Sequence, residues 1–137
     1  MSLSFKFKLA VCSVGLACVS SCMFDIVRVK QAPANFSLVA DSSATFTLNE
    51  SVEVSIGTGF KPRLRSGTVW RQVGKIEAGD VFTTDDQVLT VEASNVHEAR
   101  LVVRARALMG FYLPVEKTFV GIAIPRPLKI SSRLTNQ

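Results

Sequence analysis

The chain has 137 residues and a formal net charge of +5, from sixteen Lys and Arg against eleven Asp and Glu. That length suits one domain, and neither an internal repeat nor a low-complexity segment divides it. One histidine and three cysteines leave little material for acid–base catalysis or a disulfide framework.

The first expected element stands outside the domain. Lys6 and Lys8 precede an apolar run over residues 9–22, LAVCSVGLACVSSC. A basic start, a short apolar middle and small residues before a cut point make a secretory signal helix. A spanning helix needs about 20 apolar residues, and Ser20, Ser21 and Asp25 close this run early. An ordinary signal peptide cut nearby, an uncleaved anchor and a buried helix are the alternatives.

Val19-Ser20-Ser21-Cys22 resembles the lipobox of bacterial lipoproteins, in which an aliphatic residue and two small ones precede an acylated cysteine. Cys18 follows Gly15-Leu16-Ala17, with glycine at the aliphatic position. Cys12 follows Leu9-Ala10-Val11, with a branched residue beside the bond to be cut. The resemblance implies a signal peptide over 1–21, cleavage before Cys22, and diacylglyceryl and N-acyl groups on that cysteine. It also implies a bacterial protein outside the cytoplasm. Met23, where aspartate would retain a lipoprotein at the inner membrane, implies sorting to the outer membrane. Residues 73–82 and 110–114 are similar to segments of small bacterial lipoproteins that carry no family name.

Removing 21 of 137 residues leaves 116, with one cysteine and no possible internal disulfide. The loss of Lys6 and Lys8 lowers the net charge from +5 to +3, and part of the mean hydropathy of +0.29 leaves with the signal. A chain of this size buries about two-thirds of its surface, so a hydrophobic core has to hold it. Residues 22–35 then form the lipid attachment and a short N-terminal arm, and 36–137 a single β domain. In that arm, 24–30 alternates weakly, as a first strand or a segment that docks on a partner, and 31–35 reads as a linker.

Clean period-2 patterns follow at 44–48 and 51–56, with Asn49-Glu50 between them as a tight turn. Val52, Val54 and Ile56 share one face, and Ser51, Glu53 and Ser55 the other. Strands are expected at 68–73, carrying Trp70, at 79–83 after Gly79-Asp80, and at 87–92 after Asp85-Asp86. Residues 100–104 and 108–113 read as a hairpin turning near Arg104-Ala105-Arg106. The last strand, 118–124, ends at Ile124-Pro125-Arg126-Pro127. Residues 95–100 offer at most one helical turn. The sum is an all-β domain, a small antiparallel sandwich or barrel of about seven or eight short strands.

His97, beside Glu98, is the sole histidine available for general acid–base work. No serine lies in a Gly-x-Ser-x-Gly turn, so His97 reads as a satisfied strand-end residue and no catalytic residue is expected. With the mature cysteine lipidated, too few ligands remain for zinc. Asp85-Asp86 lacks calcium-loop spacing, Glu50/Glu53, Glu77/Asp80 and Glu116 make no compelling carboxylate pair, and Gly57-Thr58-Gly59 lacks the context of a phosphate loop. No cofactor is expected beyond the lipid on Cys22. Trp70, Phe111 and Tyr112 read as core.

The basic residues are the notable surface feature. Lys61, Arg63, Arg65, Arg71 and Lys75 fall within fifteen residues that contain no acid. In an extended segment Lys61, Arg63 and Arg65 share a face. Arg100, Arg104 and Arg106 form a second group. Such a face suits lipid phosphates, an anionic glycan or an acidic protein surface, or merely guards a sheet edge. The export signal and the lack of interleaved aromatics argue against nucleic acid. The expected function is therefore a lipid-anchored, non-enzymatic protein of the periplasmic side of the outer membrane, a structural or assembly component with envelope protein partners. The alternatives are a binding module for peptidoglycan or lipopolysaccharide, and a small hydrolase built on His97.

Overall fold

The computed structural model describes residues 31–40, 44–93 and 95–133. The signal peptide, Val19 to Cys22 and residues 23–30 lie outside the described residues. Those described contain strands and no helix. In chain order they are β1 (Gln31–Pro33), β2 (Ser37–Leu38), β3 (Thr45–Leu48), β4 (Val52–Glu53), β5 (Arg63–Leu64), β6 (Val69–Ile76) and β7 (Gly79–Thr83). There follow β8 (Thr90–Glu92), β9 (Val96–Glu98), β10 (Arg100–Arg104), β11 (Ala107–Leu113), β12 (Thr118–Pro127) and β13 (Ile130–Arg133). The expected all-β antiparallel class is what forms. There are thirteen strands rather than seven or eight, because six of them have only two or three residues, too few for a period to register.

Nine strands make one antiparallel sheet in the order β1-β12-β11-β10-β7-β6-β3-β13, with β2 also paired to β6. β4–β5 and β8–β9 are separate two-stranded pieces. The larger core lies between the sheet and these pieces. It gathers Phe46, Leu48, Val52, Leu64, Trp70, Val91, Leu101, Phe111, Leu113 and Val120, all buried. Phe46 packs edge-on against Phe82, with centroids 4.9 Å apart.

Two runs, Leu101-Val102-Val103 and Phe111-Tyr112-Leu113, are apolar at every position, the mark of strands covered on both faces. Their alternate residues divide between two cores. Leu101, Val103, Phe111 and Leu113 enter the larger one, while Val102 and Tyr112 join Ile76 and Val81 in a smaller one. An N-terminal strap covers that second face. β1 pairs with β12, Gln31 opposite Val120, and β2 pairs with β6, Ser37 opposite Lys75. Between them Phe36 stacks on Tyr112, centroids 5.1 Å apart and planes within 11°. Gly74 makes the crossing possible: a Cβ there would fall on the Phe36 ring and lie 2.5 Å from the Ser37 carbonyl oxygen.

Several local expectations change. Residues 31–33, read as linker, form β1 at the edge of the main sheet. The alternation over 51–56 holds in burial, but no hairpin forms with 44–48: β3 lies between β6 and β13, and β4 pairs with β5. Asn49 is no tight-turn residue, since its amide N–H donates to the Lys129 carbonyl at 2.8 Å and its side chain to Ser131 Oγ at 2.8 Å. Residues 96–98 are strand, held by pairing with β8, not helical. β12 runs through Pro125 to Pro127. Leu108 faces Arg126 and Gly110 faces Gly121, so residues 122–125 bulge opposite Met109 alone, where proline's missing N–H does no harm. The β10–β11 hairpin turns where expected. Ala105 and Arg106, at φ 49° and 62°, make the two-residue primed turn that suits a twisted hairpin.

Candidate functional site

Lys61, Arg63 and Arg65 are exposed while Pro62 and Leu64 between them are buried, so the three cations do share one face. The fold sets acids beside this group that its own fifteen residues lack. Arg63 lies directly opposite Glu53 in the β4–β5 pair, and Lys75 opposite Asp80 in β6–β7. Side chains opposite one another in an antiparallel pair project to the same side. The Arg65 guanidinium donates to the Asp86 carbonyl, its amide N–H donates to Gln87 Oε1 at 2.8 Å, and Arg71 stands 3.9 Å from Asp85. An exposed ion pair such as Arg71–Asp85 is worth only about 0–1 kcal/mol. Together the neighbouring acids still offset the positive field that an anionic polymer would meet.

Arg100, Arg104 and Arg106 do not form a second patch. Arg104 Nη2 donates to the Glu77 carbonyl, closing β10 onto the β6–β7 turn, and Arg106 Nη2 donates to the Ile130 carbonyl at 2.7 Å. Arg100 is half-buried, opposite Tyr112, and its Nε has no hydrogen-bond partner in the structure. Arg104 and Arg106 fasten one backbone segment to another.

His97 finds an orienting carboxylate, though not its neighbour Glu98, which is exposed. The partner is Glu116, in the turn between β11 and β12, with Nδ1 and Oε1 2.5 Å apart and side chains 15% and 27% exposed. The His97 hydrogen bond holds the Glu116 carboxyl below its usual value of 4.5, against the opposing effect of burial. The pair ties β9 to the β11–β12 turn. Chemically this is a base with its orienter. Sequence could not reveal the pairing, because nineteen residues separate the partners.

The carboxylates weighed as pairs are engaged separately. Glu50 lies 2.8 Å from Lys129, whose hydrogen bond and charge lower its pKa and whose own pKa rises in return. Asp86 Oδ2 accepts the Val69 amide at 2.6 Å, so Asp85-Asp86 is a turn that also caps β6. Thr58 Oγ1 donates to the Glu92 carbonyl at 2.8 Å, which makes Gly57-Thr58-Gly59 a structural turn. Among the described residues no cluster of three or more His, Cys, Asp or Glu is placed to hold a metal ion, and no helix is long and apolar enough to cross a membrane.

A cavity of about 460 Å³ opens beneath the strap. Ala32 and Ala34 line it from the strap, Ile76 and Ala78 from the end of β6 and its turn, and Met109 and Phe119 from β11 and β12. Asn35, Glu77 and Arg104 also border it. Small side chains line it on two sides, Ala32 and Ala34 from the strap and Ala78 from the β6–β7 turn, while Phe36 of the strap packs on the smaller core. The three alanines are the signal in the sequence, but only the passage of the strap from β12 to β6 brings them together. Set against protein-family models, curated proteins and solved structures, the chain matches none of them.

Proposed function

We propose that this protein is a lipid-anchored, non-enzymatic component of a bacterial outer-membrane complex, held on the periplasmic side by acyl groups on Cys22. The carrying observation is Val19-Ser20-Ser21-Cys22 placed behind a basic, apolar N-terminus. A single acyl chain holds a protein only marginally, and two or more hold it firmly. Gln31, the first residue of β1, comes nine residues after Cys22. Fully extended, that connection spans roughly 30 Å, which keeps the domain close to the bilayer. Its partners are envelope proteins, met at the ends of the sheet. β1 and β13 terminate the strand order, and an edge strand offers a row of backbone groups to a partner strand.

A second reading, binding of peptidoglycan or lipopolysaccharide, draws on the shared face of Lys61, Arg63 and Arg65. The acids beside three of the five cations, and the hydrogen bonds that hold Arg65, weigh against it. Two measurements test the proposal. Intact-mass analysis of protein from its native host should find Cys22 as the acylated first residue, and a bare or internal Cys22 removes the anchor. Photo-crosslinking in cells from Ser132 on β13 should capture a protein, whereas capture of glycan from Arg63 with nothing at Ser132 favours the polymer.

A further inference from the structure

We propose that the cavity beneath the strap binds one long-chain fatty acid, its tail inside and its carboxylate at Arg104. The volume of about 460 Å³ lies within the range of small-molecule sites. One side of this open groove fits a hydrocarbon chain: Ile76 belongs to the smaller core, and Ala34, Ala78, Met109 and Phe119 pack against it, while Asn35, Glu77 and Arg104 make the other side polar. Methionine is the most adaptable apolar side chain, and Met109 faces the bulged stretch 122–125 of β12, where the strands are not tightly registered. That wall can yield to a tail.

The rim selects the head group. The Glu77 carbonyl holds Nη2 of Arg104, fixing the guanidinium plane at the border while Nε and Nη1 remain for a carboxylate. The Glu77 carboxylate on the same border disfavours a doubly charged head, so a monoanion is preferred. The strap that roofs the cavity leads back to residue 22 within roughly 30 Å of chain, which places the opening near a bilayer as the source of such molecules. Only this source rests on the anchor proposed above. The cavity and its rim do not.

The test uses the full chain carrying Cys22→Ser, which has no thiol for a lipid to be attached to, titrated with dansyl-labelled undecanoic acid. Saturable one-to-one binding with blue-shifted emission is expected. Filling the cavity from opposite walls, with Ala78→Trp or Ala34→Trp, should weaken binding at least about tenfold, and Arg104→Gln by roughly tenfold, as expected for a charge-assisted contact. Glu77→Gln should tighten it about twofold. Unsaturable binding overturns the proposal, as does unchanged affinity in a tryptophan variant whose circular dichroism matches the parent. If both tryptophan variants unfold, an Arg104→Gln chain that binds as tightly as its parent overturns it. Mass analysis of wild-type Cys22 is read separately: a bare cysteine removes the anchor and leaves the titration standing.

Discussion

Replacing Thr68 by valine should loosen the domain more than any other change of one small group. Thr68 is buried at 4% exposure, and its hydroxyl serves two partners. It accepts the indole N–H of Trp70 at 2.8 Å and donates to the Arg65 carbonyl at 2.6 Å. Valine keeps the shape and removes both bonds. The Trp70 ring is 1% exposed, so its N–H would find no water. A buried donor left unsatisfied costs about 1–3 kcal/mol, and the lost hydroxyl bond about 1 kcal/mol more, for a total of about 2–4 kcal/mol. Trp70 is the sole tryptophan, so its emission reports directly on the site during urea unfolding. Thr68→Ser is the control. It keeps the hydroxyl and gives up one methyl, about 1 kcal/mol. A valine variant within about 0.5 kcal/mol of the parent, or a serine variant as unstable as the valine, would refute the reasoning.

Other expectations follow from single positions. Gly74→Ala should dislodge Phe36 and the strap at a cost of about 1–3 kcal/mol, seen as faster amide exchange at Ser37 and Leu38 with β10 and β11 still protected. Ala105→Asn should stabilise by about 0.5–1 kcal/mol by relieving the left-handed turn position, read as a raised midpoint in denaturant. Glu116 has a folded pKa below its unfolded value of 4.5, so the stability it lends is present above that value and lost as pH falls through the folded one. Stability of the parent should therefore drop more steeply than that of Glu116→Gln between about pH 5 and about pH 3, and parallel curves would count against the His97 contact. Joint replacement of Lys61, Arg63 and Arg65 by glutamine should change co-sedimentation with purified peptidoglycan by less than about twofold. A larger, salt-sensitive loss would favour polymer binding.

The all-β class was legible because alternation survives wherever one face is buried and the other wet, as it does at Val52, Glu53 and Val54. The hairpin at Arg104-Ala105-Arg106 was legible because its partners are neighbours in the chain. Pairing between distant segments was not. Nothing in Thr45-Phe46-Thr47-Leu48 says that it borders Ile130 to Arg133, more than eighty residues away. For the same reason the five cations over 61–75 read as one positive face, since Glu53, Asp80, Asp85 and Asp86 join them only through register and turns. The cavity was the least legible of all. Three alanines in a sequence mean little until one strap crosses one sheet.

That crossing also dictates an order of events. Gln31 and its partner Val120 stand 89 positions apart in the chain, and Thr45 and Arg133 stand 88 apart. Contacts of such separation are slow to form, because the loop has to close before anything rewards it. A chain emerging N-terminus first would hold its opening segment unseated until nearly all of the domain had arrived. Through that interval the ring of Tyr112 waits for Phe36.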